Sequence, residues 1–181
     1  MTQLKRRKQN RTSYSKRLKL LKSEKTRILV RKSSKNMMIQ FTNYHENGDK
    51  VLLTVTTQSL EKMGYKGSKS NIPSAYLLGL LAGKKAQEKK IKEGIFDIGL
   101  YEPVAKSRLF AALKGLVDSG LKIPHDPEVF PSEERIKGKH ISNYLKEASE
   151  SQFSRYKKEK ITSDVLEKNI QETKDKIMKG K

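Results

Sequence analysis

The chain has 181 residues, with 40 Lys and Arg against 20 Asp and Glu, a formal net charge of +20. That length holds one domain with a real core plus a tail or two, and two compact domains would be a squeeze. The absence of Cys excludes disulfides, zinc ribbons and thiol catalysis, and fits a reducing compartment.

The charge is concentrated at the front. From Met1 to Lys35, fourteen Lys or Arg stand against one acid, Glu24, so this stretch carries +13. Such a block cannot pack into an apolar core and repels itself, so its expected partner is a polyanion, above all nucleic acid. Lys5, Arg6, Arg7, Lys8 and Arg11 show no apolar periodicity, which predicts an extended arm. Tyr14, Leu18 and Leu21 then recur at helical spacing with Lys16, Arg17, Lys19 and Lys22 between them, which predicts a short basic amphipathic helix. A solvated tail is the bland alternative. The aromatic ring and the leucines argue against it, since they add stacking and docking groups beside the phosphate contacts.

No apolar h-region follows the basic start, so no secretory signal is expected, and the sequon Asn10-Arg11-Thr12 is read as accidental. No apolar run approaches the ~18 residues that span a bilayer. The expected localisation is cytoplasmic, with no membrane partner.

From Thr26 the pattern has period two. Arg27 to Arg31 is β-branched-rich; Met37, Ile39 and Phe41 alternate with Met38, Gln40 and Thr42; Val51, Leu53 and Val55 alternate with Leu52, Thr54 and Thr56. Ser33-Ser34-Lys35-Asn36 predicts the first turn and Asn47-Gly48 a tight hairpin. The expectation is a three-stranded antiparallel meander with a basic tip at Arg31, Lys32 and Lys35.

A basic small-residue loop, Tyr65 to Asn71, feeds a helix with Pro73 in its first turn and Asn71 as cap. Ala75 to Ala82 is apolar nearly all round, which predicts burial on more than one side, and Gly79 and Gly83 are expected to let this helix approach the sheet. Ile95 to Leu100 reads as a short, fully buried strand, parallel to a neighbour because helices flank it. Lys106 to Ser119 is the next helix, with Leu109, Leu113 and Val117 on one face and Gly120 as its stop. Pro124, Pro127 and Pro131 mark a loop, and Ser132-Glu133-Glu134 opens another helix. From about Ser149 the chain is highly charged, with Ile161, Val165, Leu166 and Ile170 as a weak apolar stripe. A surface helix or two is expected there, docked on a partner or partly disordered.

The order predicts an α/β fold, a mixed sheet covered by helices on one or both faces. Three segments follow: a basic arm over 1–25, an α/β core over 26–120, and a loop and helical extension over 121–181.

Catalysis is not expected. His45, His125 and His140 lie far apart with no metal-ligand spacing. Gly79-Leu80-Leu81-Ala82-Gly83-Lys84 fails as a phosphate loop: its glycines are one residue too close, no Ser or Thr follows the Lys, and it lies within a helix. Asp97 invites comparison with Mg²⁺-dependent nucleases, but no second strand offers a converging acid. Its expected partner is a backbone N–H or a basic neighbour. Neither a metal nor a cofactor is expected.

Leu29-Val30-Arg31-Lys32-Ser33-Ser34-Lys35-Asn36 resembles the first hairpin of the large-subunit ribosomal protein eighteen family, which binds 5S rRNA. The likeness continues through Gly64-Tyr65-Lys66-Gly67 and Asn71 to Leu77. It is strongest over Asp97 to Leu100 and Ser107 to Gly115, and includes Asp118 to Leu121, Ile123-Pro124-His125 and Glu133 to Gly138. Together these blocks span about Lys5 to Leu145. The extension beyond the second main helix resembles the archaeal and eukaryotic branch, and the length resembles its archaeal members. Ser34 stands where many members carry Asn, and Asn36 where many carry His.

The resemblance implies a ribonuclease-H-like motif without catalytic carboxylates. It implies a structural ribosomal protein that binds 5S rRNA and helps dock it to large-subunit rRNA at the central protuberance, beside neighbouring ribosomal proteins. The arm, with Lys5, Arg6, Arg7, Lys8, Arg11, Tyr14, Lys16 and Arg17, would run along rRNA. The tip, with Arg31, Lys32, Ser33 and Lys35, would meet the 5S backbone. Lys66 and Lys69 of the loop, with its amides, and Lys106 and Arg108 would offer phosphate sites at helix starts. A general nucleic-acid-compacting protein or RNA chaperone is the alternative, for which the arm alone would suffice, and a divergent nuclease using Asp97 is a further one.

Overall fold

Ile28 and Val30 of the first strand are fully buried, while Arg27, Leu29 and Arg31 project from its other side. That alternation builds the molecule, because the buried side carries the core and the other side is left for the arm. The computed structural model describes residues 4–147, 152, 153, 156 and 161–179.

Strands β1 (Arg27–Lys32), β2 (Met37–Asn43) and β3 (Lys50–Thr56) form the expected antiparallel meander. Strand β4 (Ile95–Asp97) joins parallel to β1, giving the order β3-β2-β1-β4. The mixed α/β sheet is thus as predicted, but β4 is an edge strand of three residues. Ile95 and Phe96 are only half-buried, so the expectation of a fully buried strand is corrected.

The hairpin expected at Asn47-Gly48 is also looser than a two-residue turn. Strand β2 ends at Asn43 and β3 begins at Lys50, and the Gly48 amide closes a turn onto the His45 carbonyl at 3.0 Å. Gly48 alone adopts the positive φ (131°), whereas a tight type I′ turn needs two such residues. A register shift between Phe41 and Thr42 absorbs the remaining mismatch.

The arm contains two helices, α1 (Lys5–Lys8) and α2 (Tyr14–Leu21). The second was predicted; the first is a single turn where extended chain was expected. After α3 (Gln58–Lys62) comes the central helix α4 (Ile72–Glu88). Its capping box is complete: Asn71 Oδ1 accepts from the Ser74 amide at 2.9 Å, and Ser74 Oγ accepts from the Asn71 amide at 3.1 Å. Every residue from Ile72 to Gly83 is buried.

Helix α5 (Arg108–Asp118) packs against α4, and both lie on the Ile28 face of the sheet. The glycines serve this helix pair and not the sheet, contrary to expectation. A Cβ on Gly79 would collide with the Ala112 carbonyl and lie 3.0 Å from Gly115 Cα. Val117 is half-buried, and Leu116 instead joins Leu109 and Leu113 in the core.

Helices α6 (Glu133–Ile136) and α7 (Lys139–Glu147) lead to α8 (Ser163–Lys179). Helix α8 docks on the chain's own α4 and α7, burying Leu166, Ile170, Thr173 and Ile177. The expectation of a tail docked elsewhere or disordered is therefore corrected over 163–179. Val165, placed in the apolar stripe by spacing, is 43% exposed. The intervening stretches 148–151, 154–155 and 157–160, and residues 180–181, lie outside the described residues.

Candidate nucleic-acid interface

Helix α2 starts at Ser13, whose Oγ accepts from the Lys16 amide at 3.5 Å. One turn later Arg17 Nη2 donates to Asp49 Oδ1 at 2.8 Å, tying the arm to the β2–β3 loop. The arm therefore lies across the sheet face that α4 and α5 leave open. Beneath it is a cleft of about 790 Å³.

Its rim is basic. The arm contributes Arg6, Arg11, Lys16, Arg17 and Lys19, and β1 contributes Arg27 and Arg31. Against these seven cations stand two carboxylates, Asp49 and Asp97. Both carboxylates are held by Arg27, whose side chain is 4% exposed. Its Nη1 donates to Asp97 Oδ2 at 3.3 Å and its Nη2 to Asp49 Oδ2. Asp97 Oδ1 also accepts from the Gly99 amide at 2.7 Å. Asp97 thus has both partners expected for it, a backbone N–H and a basic neighbour. Among the described residues, no group of three or more His, Cys, Asp or Glu gathers to hold a metal ion.

Arg31 belongs to this cleft more than to the hairpin tip where it was expected. Its Nη1 donates to the carbonyls of Val30 and Asp97 at 2.8 and 3.2 Å, and its guanidinium lies against Gly99. A Cβ at Gly99 would come 3.0 Å from Arg31 Cζ, and φ there is +66°, so glycine suits the position twice over.

The tip itself is built by Ser33, whose Oγ accepts from the Asn36 amide at 3.0 Å while its own amide donates to the Asn36 carbonyl at 2.8 Å. Lys35 is exposed. Lys32 Nζ sits 5.1 Å from the centroid of the Tyr101 ring.

The loop Gly64–Asn71 reaches this tip, because Ser70 Oγ donates to the Ser33 carbonyl at 3.1 Å. Arg108 joins them, donating from Nη1 to the Ser70 carbonyl at 2.7 Å and Oγ at 2.6 Å. Tip, loop and the start of α5 are thus one edge of the molecule. Two of the loop amides expected to be free for phosphate, those of Lys66 and Ser68, are already used, however. Lys66 N–H donates to Asn169 Oδ1 at 2.9 Å, Asn169 Nδ2 returns a bond to the Gly64 carbonyl at 2.8 Å, and Ser68 N–H donates to the Tyr156 hydroxyl at 2.8 Å. Tyr65 packs beneath, and burial pushes its phenol above the ordinary range.

Among the cations of this edge, Lys69 pairs with Glu61 at 2.6 Å, while Lys66 and Lys106 are exposed. Lys5, Arg7 and Lys8 are exposed on α1, and Tyr14 is half-buried. Sequence reasoning missed Arg27 and Asp49 as organisers. The available signal was the alternation Arg27, Leu29, Arg31, which puts two cations on the face that the core does not use.

The family model of ribosomal large subunit proteins 60S L5 and 50S L18 matches residues 1–95. The chain belongs to this family. The matched stretch contains the arm, the whole meander, the tip, the loop and α4. Membership makes the protein a component of the large ribosomal subunit that binds rRNA and acts in translation within a ribonucleoprotein. The basic cleft and the tip edge are two surfaces of this family member on which cations are held in place by the fold.

Proposed function

We propose that the protein binds 5S rRNA and helps dock it to large-subunit rRNA at the central protuberance, beside neighbouring ribosomal proteins, and that it catalyses no reaction. The observation that carries this reading is the basic arm held across the open sheet face, over a cleft with seven cations and two carboxylates. In it, residues 1–25 neutralise phosphates, 26–120 supply the platform, and 121–181 brace the loop and the central helix.

The contacts fall in two groups. Lys5, Arg6, Arg7, Lys8, Arg11, Tyr14, Lys16 and Arg17 follow the rRNA backbone along the arm, with Arg31 below them. Lys32, Ser33, Lys35, Lys66 and Lys106 meet phosphate and 2′-OH groups at the tip edge, where Lys69 and Arg108 hold the geometry. Duplex RNA hides its base edges in a deep groove, so recognition there rests on shape and backbone.

Titration of 5S rRNA against salt tests the proposal. Seven or eight neutralised phosphates give a log–log slope of about −5 to −7. Removing residues 1–22 takes away nine cations and no acid, which should lower affinity and flatten the slope. Equal affinity for an unrelated duplex would favour a general compacting protein or chaperone. Metal-dependent cleavage of RNA that Asp97→Asn abolishes would replace the proposal with a nuclease.

A further inference from the structure

The cleft beneath the arm has more than a charged rim. Its floor is apolar, formed by Leu20 of α2, Leu29 of β1, and Tyr101 and Pro103 of the segment after β4. At about 790 Å³ it lies within the range of roughly 300–1,000 Å³ usual for pockets that enclose a small molecule. A duplex backbone would use the rim and leave the floor empty, because its bases are stacked inside. An unpaired nucleotide matches both parts, with a phosphate for the cations and a flat base for the floor.

One further feature favours such an occupant. Tyr101 is only half-buried, yet its ring is fixed: the hydroxyl donates to the Lys32 carbonyl at 2.7 Å, and Lys32 Nζ lies over the ring. A fixed aromatic ring loses little freedom on stacking.

We propose that this cleft receives one unpaired nucleotide of the bound RNA, its base against Leu29 and Tyr101 and its phosphate on Arg11 and Lys16. The inference rests on the protein being an RNA binder that uses its arm. It adds a stacked-base site to the backbone contacts proposed above.

Two probes with equal numbers of phosphates separate the ideas: a single-stranded oligonucleotide carrying 2-aminopurine at its centre, and a blunt RNA duplex. Counterion release alone favours the duplex, whose charge density is higher. The full-length protein should instead hold the single strand more tightly at raised salt and quench its 2-aminopurine. Tyr101→Leu and Leu29→Ala change no charge and lie on separate segments, so one can decide if the other melts early. Each should weaken single-strand binding about tenfold and leave duplex binding and its salt slope unchanged. Equal losses on both probes, no loss on either, or a wild-type preference for the duplex would overturn the inference. A preference for the single strand combined with no preference for 5S rRNA would instead overturn the 5S reading and leave this site standing.

Discussion

Replacing Asp49 by Asn sets two electrostatic effects against each other, and their sizes decide the outcome. The substitution removes a negative charge from a surface proposed to meet phosphate. At ~8 Å in water that is worth at most ~0.5 kcal/mol per phosphate, and salt reduces it further. The opposing effect is structural. Asp49 holds Arg17 through a pair with side-chain exposures of 29% and 24%, near the upper end of the ~0–1 kcal/mol range for surface pairs. It also accepts from Arg27, whose side chain is 4% exposed, a charged bond worth ~1.5–3 kcal/mol. Asn keeps one acceptor oxygen and Arg27 keeps Asp97, so the expected net loss is ~1–3 kcal/mol. Thermal melting should then fall by several degrees, at ~2–4 °C per kcal/mol for a chain of this size. If ~1 kcal/mol of that loss is docking of α2, affinity for 5S rRNA falls about fivefold, which outweighs the Coulomb gain. Melting and a salt-series titration on the same preparation measure both quantities. Unchanged melting together with tighter RNA binding would refute the argument, since Asp49 would then be only a repulsive charge.

Gly115→Ala should lower melting markedly: its Cβ would meet the Tyr76 carbonyl and come 2.8 Å from the Leu80 amide, so α4 and α5 must separate. Overpacking costs ~1–3 kcal/mol or more and helix propensity returns at most ~1; unaltered melting would contradict the close approach. Asn169→Ala should speed hydrogen exchange at the Lys66 amide while leaving β1 protected, at a stability cost of ~1 kcal/mol. Equal exchange in variant and wild type would rule out the clamp. Partial desolvation of the exposed His140 ring, aided by Arg135, lowers its pKa from the ordinary 6.5. The unfolded chain therefore binds more protons near and just below pH 6.5, so stability rises with pH through that window and is lost as pH falls. His140→Gln should flatten this slope, and an unchanged pH profile would place its source elsewhere.

The meander, α4 and the parallel strand were legible because their signals are local. Period-two alternation from Arg27 to Thr56 needs only neighbouring residues, and Asn71 with Pro73 marks a helix start wherever it occurs. Asn47-Gly48 misled because the dipeptide permits a tight turn without imposing one; strand register, set by the buried Ile39 and Phe41, determined where the loop ends. The seat of α8 was illegible for a related reason. Leu166, Ile170, Thr173 and Ile177 form a narrow stripe among charges, and the surface that receives it, on α4, lies about ninety residues earlier. Asn169 and Lys66, 103 positions apart, give no sign in sequence that they meet.

The same limit applies to the charges, with a consequence for RNA binding. Composition counts every cation alike, whereas the fold divides them. Arg27, Lys69 and Arg108 are engaged by Asp97 and Asp49, by Glu61 and by Ser70. A cation that already neutralises a carboxylate releases no RNA counterion unless that pair breaks, and Arg27 is too buried to reach a phosphate without unfolding β1 from its neighbours. Among the described residues, Lys35, Lys66 and Lys106, with the arm cations other than Arg17 and Lys25, which pair with Asp49 and Glu93, carry no such ion pair. The salt slope should therefore follow the arm and the tip edge, and neutralising Arg27 or Lys69 should lower stability while changing that slope little.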